Sequence, residues 1–161
     1  MMKKDVSAGI IIKRSKNNTP MLLLIKRSPD DNWPLQWEVP RGKCESGENR
    51  NECLIREVKE ETGLDVISEK FIGKFKYIAD NGTRETTQYN YLCRLKNPKQ
   101  EIRLSREHAE YRWVTSFAEV ELMVNPELKK IVAQVFDNNM IVDYEQDDII
   151  EEALNRYLER L

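Results

Sequence analysis

Residues 42–64 read GKCESGENRNECLIREVKEETGL, from Gly42 to Leu64. From about Glu48 to Thr62 the stretch has helical patterning, and Gly63 is the residue type favoured just past a helix end. Glu57, Glu60 and Glu61 stand at i, i+3 and i+4, so a helix places them on one face. Three crowded carboxylates repel one another, and the arrangement is costly unless a cation sits among them. Oxygen-only ligands suit hard cations, magnesium or manganese rather than zinc. The glycines ahead of the helix let backbone approach both a metal and a phosphate closely. Together these features point to metal-assisted attack of water on phosphorus.

A glutamate-rich face beside Arg56 and Lys59 is ordinarily just a solvated surface. The whole spacing sets this one apart. Gly42 is followed by five residues, Glu48, seven residues, Arg56-Glu57, and then Glu60, Glu61 and Gly63. This is G-x5-E-x7-R-E-U-x-E-E-x-G-U, with U apolar, matched at every specified position. From residue frequencies, a chance match in this chain is on the order of 10⁻⁷. Over roughly residues 5 to 136 the chain resembles the Nudix hydrolase family.

That resemblance implies an α/β/α sandwich around a mixed β-sheet, with residues 42–64 as a loop–helix–loop. It implies a hydrolase of phosphoanhydride bonds that uses Mg²⁺, with Mn²⁺ as a substitute. Glu57, Glu60 and Glu61 would hold divalent metal, and the Gly42 carbonyl would face it. Arg56 would orient the glutamates through a salt bridge, and Glu48 would brace the loop. Trp37-Glu38-Val39-Pro40-Arg41-Gly42 with Glu45-Ser46-Gly47-Glu48 resembles asymmetrical diadenosine tetraphosphate hydrolases, as does Glu101–Trp113, EIRLSREHAEYRW. The second stretch adds Glu107 as a metal ligand or an acceptor of the water proton. It leaves open whether Glu61 or Glu107 acts as base.

Two departures from that subfamily concern substrate contacts. Lys43 stands where histidine is usual, and still offers a point charge to phosphate. Arg41 replaces a lysine and can grip phosphate in two places. Trp33, Tyr77 and Tyr89 are candidate stacking platforms for a base. The single histidine, His108, either bonds a phosphate or orders its loop. Cys44 reads as a small loop residue.

The implied reaction cuts a dinucleoside polyphosphate, diadenosine tetraphosphate giving ATP and AMP. Hydrolysis of RNA 5′ ends, as in bacterial 5′-pyrophosphohydrolases or mRNA decapping enzymes, is the alternative. A non-catalytic binding module is disfavoured by the complete carboxylate set.

Working outward, Val6–Lys13 and Met21–Lys26 read as strands, as do Phe71–Ile78 and Thr87–Leu95 around the Asp80-Asn81-Gly82 turn. Tyr111–Val114 is a short strand. Ser116 with Glu119 opens one short helix, and Asn125-Pro126-Glu127 opens another bearing Leu128, Ile131, Val132, Val135 and Phe136 on one face. Asp147–Leu161 carries Ile150, Ala153, Leu154, Tyr157, Leu158 and Leu161 at helical spacing. This predicts an additional C-terminal amphipathic helix, packed on the domain or used as a dimer or partner contact.

The 161 residues, 40% hydrophobic and 34% charged, are read as one domain spanning 1–161, with its core at about 5–136 and an extension from about 137 to 161. A net charge of −2 gives no general pull towards nucleic acid or acidic membranes. No apolar run is long enough to cross a membrane, and MMKKDVSAGIII meets Lys13 and Arg14 too soon to be a signal peptide. Three cysteines without a CxxC pair predict a reducing, cytoplasmic setting, with neither disulfide nor thiolate zinc site. Either a monomer or a homodimer is expected.

Overall fold

A computed structural model describes residues 1–31, 35–120 and 125–137 of the chain. Its centre is β1 (Met2–Arg14), whose run Ala8–Ile12 is apolar without alternation, the pattern of a strand buried on both faces. One edge of β1 pairs in parallel with β6 (Arg84–Leu95), from Met2 opposite Arg84 to Ile11 opposite Cys93. The other edge is shared. Antiparallel β4 (Arg41–Lys43) takes Val6–Ala8, and antiparallel β2 (Pro20–Arg27) takes Ile12–Arg14. On β2 lie β3 (Trp37–Glu38) and β7 (His108–Val114), both antiparallel. Antiparallel β5 (Val66–Ala79) flanks β6.

Side-chain alternation divides the core in two. Ala8, Ile10, Ile12, Leu22, Leu24 and Leu92 face α3 (Pro126–Asp137). Ile11, Leu23, Ile25 and Cys93 face α1 (Arg50–Thr62) through Leu54 and Val58. The expected α/β/α sandwich around a mixed sheet is therefore present. Gly9 lets α1 sit close over β1, since a Cβ there would lie 3.2 Å from Val58 Cγ2.

The helix signals act as the sequence predicts, with small changes of position. Asn49 caps α1, its side chain accepting from the Glu52 amide, and Gly63 ends it with φ 75°. Asn125 Oδ1 accepts from the amides of Glu127 and Leu128 at 3.0 Å. Glu119 of α2 (Phe117–Val120) reaches back to the Thr115 amide, one residue before the expected Ser116.

Three differences have physical causes. β5 begins at Val66 rather than Phe71, because one register shift absorbs the polar Ser68–Lys70 segment and a second, between Phe71 and Gly73, breaks the alternation again. β6 begins at Arg84 rather than Thr87, because its inward residues Arg84, Thr86, Gln88 and Asn90 are buried yet polar, reversing the usual pattern. They bond in part among themselves, Gln88 Nε2 to Asn90 Oδ1 at 2.9 Å and Arg84 Nε to Thr86 Oγ1 at 3.0 Å, and in part to neighbours, Asn90 Nδ2 donating to the Gly73 carbonyl at 3.1 Å. Finally, Cys44 and Cys53 form a disulfide, against expectation. The loop after β4 folds back over the first turn of α1 and brings residues nine apart to a Cα separation of 5.1 Å, a closeness that linear spacing does not reveal.

Among the described residues no helix is long and apolar enough to cross a membrane. The amphipathic segment Asp147–Leu161 lies outside the described residues.

Leu54 is fully buried between α1 and the sheet. Leu54→Ala is expected to cost about 2–5 kcal/mol, read as a lowered midpoint at unchanged slope in urea unfolding.

Candidate active site

Gly42 and α1 are joined through Glu57. A Cβ at position 42 would lie 1.9 Å from Glu57 Cδ, so the carboxylate rests directly on the glycine backbone. Arg56 holds that arrangement from the other side. Its Nε and Nη2 donate to the two carboxylate oxygens of Glu48 at 2.7 and 2.8 Å, and Nη1 donates to Glu57 Oε1 at 2.8 Å. The same guanidinium reaches Glu60 Oε2 at 3.2 Å and the Lys43 carbonyl at 3.1 Å. The Arg56 hydrogen bonds, helped by the Glu45 amide, hold the Glu48 carboxyl down at about 2. Burial pushes the Glu57 carboxyl above its ordinary value, against the pull of Arg56.

Glu61 lies on the buried stripe of α1 with Leu54 and Val58, where the pattern would otherwise place a hydrophobe. It is only 6% exposed and accepts from the Arg41 amide at 3.3 Å. Burial first, then the neighbouring carboxylates of Glu38, Glu57 and Glu107, raise its pKa well above the usual range.

Behind Glu61 sits a second buried acid, Glu38. His108 Nε2 donates to Glu38 Oε1 at 2.8 Å and lies 4.0 Å from Glu61 Oε2. Arg27 and Arg41 meet the other Glu38 oxygen at 3.1 and 3.4 Å. Burial works to raise the Glu38 carboxyl, but His108, Arg41 and Arg27 together hold it below the carboxylate range.

These elements wall a cleft of about 420 Å³, whose lining includes Gly42, Glu57, Glu61 and Glu107 together with Arg41 and Arg84. A neighbouring cavity of about 390 Å³ shares Arg41, Tyr77 and Arg84 and is bounded by Trp37, Gln88 and Leu128. Ligand atoms of Glu61, Glu107 and His108 lie within 4.8 Å of one another. The lining thus combines carboxylate oxygen, as hard divalent cations require, with guanidiniums suited to phosphate.

The structure treats the expected residues unequally. Gly42, Glu57, Glu61, Glu107, Arg41, Lys43 and Tyr77 line the main cleft. Glu60 stays mostly in solvent on Arg56 and does not line it. Tyr77 is fixed by Arg41, whose Nη1 donates to its hydroxyl at 3.0 Å. Tyr89 is not brought to the cleft. It points to the α1 side of the sheet, under the Arg50 guanidinium at 3.8 Å, because residues one apart on a strand face opposite ways and Gln88 takes the cleft side. His108 is buried against Glu38 and orders its loop, away from the cleft lining. Trp33 lies outside the described residues.

Glu38, Arg27 and Arg84 were missed by sequence reasoning. The one available signal was a carboxylate between Trp37 and Val39, where a short apolar segment should have none.

A family model described as NUDIX domain matches residues 3–135. The mouse protein named bis(5′-nucleosyl)-tetraphosphatase [asymmetrical] is 34% identical over 108 residues, which cover 65% of this chain and 70% of that protein. The Saccharomyces cerevisiae m7GpppN-mRNA hydrolase is 39% identical over 64 residues, 40% of this chain and 5% of that protein. A crystal structure of a C. elegans Ap4A hydrolase binary complex superposes with TM-score 0.70 at 22% identity, covering 81% of this chain and 93% of that one, a likeness of fold.

Two outcomes are expected of this geometry. Gly42→Ala displaces the Glu57 carboxylate, and activity should fall by at least about 10-fold, since angstrom-scale misplacement is costly; steady-state rates check this. In chelator, ionised Glu61 opposes folding. That penalty is full above its raised folded-state value and fades as pH falls towards the ordinary value near 4.5. The metal-free melting temperature should therefore rise on acidification from neutral pH, before Glu48 and other depressed carboxylates reverse the trend at lower pH. Glu61→Gln should flatten that rise and melt higher at neutral pH, by scanning calorimetry.

Proposed function

This chain belongs to the Nudix hydrolase family, and we propose that it hydrolyses dinucleoside polyphosphates, cutting diadenosine tetraphosphate to ATP and AMP. The observation that carries this reading is the 34% identity to the mouse tetraphosphatase over 108 residues, far more than the 42–64 stretch alone. The cleft supports it, combining carboxylates with cations and adjoining a second cavity with room for part of a long, anionic substrate.

We assign Mg²⁺ as the cofactor, with Mn²⁺ able to replace it. The donor set fits: all-oxygen, with Glu61 raised by burial first and by the neighbouring carboxylates second, and cradled by a backbone that has no room for a Cβ at Gly42. Glu57, Glu61 and Glu107 would hold the metal with the Gly42 carbonyl, and Glu60 stands at the outer edge. When bound, such a cation neutralises charge developing on the phosphate oxygens and activates phosphorus towards water.

The remaining steps belong to the chain's own groups. Arg56 keeps Glu57 aimed and the loop closed. Arg41 and Lys43 meet the phosphates. Glu61 or Glu107 accepts the proton of the attacking water as its oxygen bonds to phosphorus and the P–O bond to the leaving phosphate breaks. Glu107 is exposed at the cleft, whereas Glu61 is buried and bonded to the Arg41 amide.

Hydrolysis of RNA 5′ ends is the second reading, favoured by the 64-residue match to the yeast decapping enzyme. The small share of that protein covered places it behind the first.

Chromatography of products from diadenosine tetraphosphate and Mg²⁺ is expected to show equal ATP and AMP, and none in chelator. Glu57→Gln and Glu61→Gln should each lower turnover on the order of 100-fold or more with an unchanged circular dichroism spectrum. Absence of turnover on the dinucleotide, with turnover on 5′-triphosphate or capped RNA, would transfer the activity to the second reading.

A further inference from the structure

Two of the three cysteines flank the loop between β4 and α1. Cys44 follows Lys43 directly, and its amide donates to the Asp5 carbonyl at 2.9 Å. Cys53 lies in the first turns of α1, with its amide bonded to the Asn49 carbonyl at 2.9 Å. Their disulfide ties the end of β4 to the helix and encloses Glu45–Glu52, including Glu48 and the helix cap. Neither cysteine lines the cleft. Cys53 Sγ nevertheless stands 3.6 Å from the Gly42 carbonyl oxygen, so the disulfide lies against the backbone on which Glu57 rests.

We propose that Cys44 and Cys53 form a reversible thiol–disulfide exchange site that fastens the Gly42–Asn49 loop to α1 when oxidised and releases it when reduced. Burial makes the site asymmetric. Cys53 is fully buried, whereas Cys44 is partly exposed and open to a small thiol. A thiolate of the glutathione type attacks Cys44 Sγ, the Cys44–Cys53 bond breaks, and Cys53 leaves as a thiolate that takes a proton. A second thiolate then attacks the small-molecule sulfur of the mixed disulfide and frees Cys44. In net terms, one protein disulfide and two small thiols become two protein thiols and one small-molecule disulfide; oxidation is the reverse. Cys93 takes no part, since it is fully buried and burial raises its thiol far above the reactive range. The reduced loop keeps its anchors on Arg56, through Glu48 and the Lys43 carbonyl, and so loosens without unfolding.

The test needs no substrate, so it is independent of the activity proposed above. The protein is equilibrated across glutathione redox ratios, quenched in acid, denatured and alkylated, and its free thiols are counted by mass. The expected result is a single two-electron step between three alkylated cysteines and one. The step should persist in Cys93→Ser and vanish in Cys44→Ser and Cys53→Ser. Trypsin should cut after Lys43 or Arg50 severalfold more slowly in the oxidised protein, which should melt roughly 5 °C higher. Three free thiols at every ratio, glutathione adducts or linked dimers in place of the internal bond, or equal trypsin rates in both states would each overturn the proposal.

Discussion

The guanidinium of Arg56 is the point on which the active-site loop and helix depend. Its two edges face different partners: one takes both oxygens of Glu48 in the loop, the other Glu57 and Glu60 on its own helix. A planar fork with fixed donors can satisfy this geometry, and a point charge cannot. The spacing of the motif follows. Glu48 must precede Arg56 far enough for the loop to return to the helix. Glu57 must adjoin Arg56 so that one group orients it, and position 42 must be glycine because the oriented carboxylate occupies the space of a side chain.

Around that clamp the protein holds charge where burial disfavours it. Glu38 is stabilised ionised by two arginines and a histidine, while Glu61, in contact range of the same histidine, has only a backbone amide. The two acids are therefore pushed in opposite directions by their surroundings. Such opposition marks functional sites more often than structural ones. Glu61 is thus left short of counter-charge among the described residues, an arrangement of acidic groups that could hold a metal ion.

The sheet makes room for this chemistry. Because the free edge of β1 is divided between β4 and β2, the chain entering α1 is threaded into the sheet itself rather than draped over it. The polar inward face of β6 then supplies a hydrogen-bonding floor, where Gln88 accepts from Arg41 at 2.8 Å. An apolar strand there would remove that acceptor and leave the half-buried guanidinium only Tyr77 and Glu38 as partners among the described residues.

The chain's primary structure by itself determined the motif of residues 42–64, because Gly42, Glu48, Arg56 and Glu57 lie within one loop and helix, and the resemblance carried by that motif implied the reaction class, the sandwich architecture and the clamp. It also marked Gly63 at the end of α1 and Asn125 at the start of α3, though not the Asn49 cap that opens α1. Only the tertiary structure decided which residues share the cleft. Tyr77 faces it and Tyr89 does not, since each belongs to a different strand and pleat. His108 turns inward to Glu38, seventy positions away in sequence. Arg27 and Arg84 arrive from strands on either side of β1, and Cys44 meets Cys53 only because the loop folds back. Contacts between distant segments depend on sheet register and strand order, which arise from packing the whole core, and no local pattern encodes them.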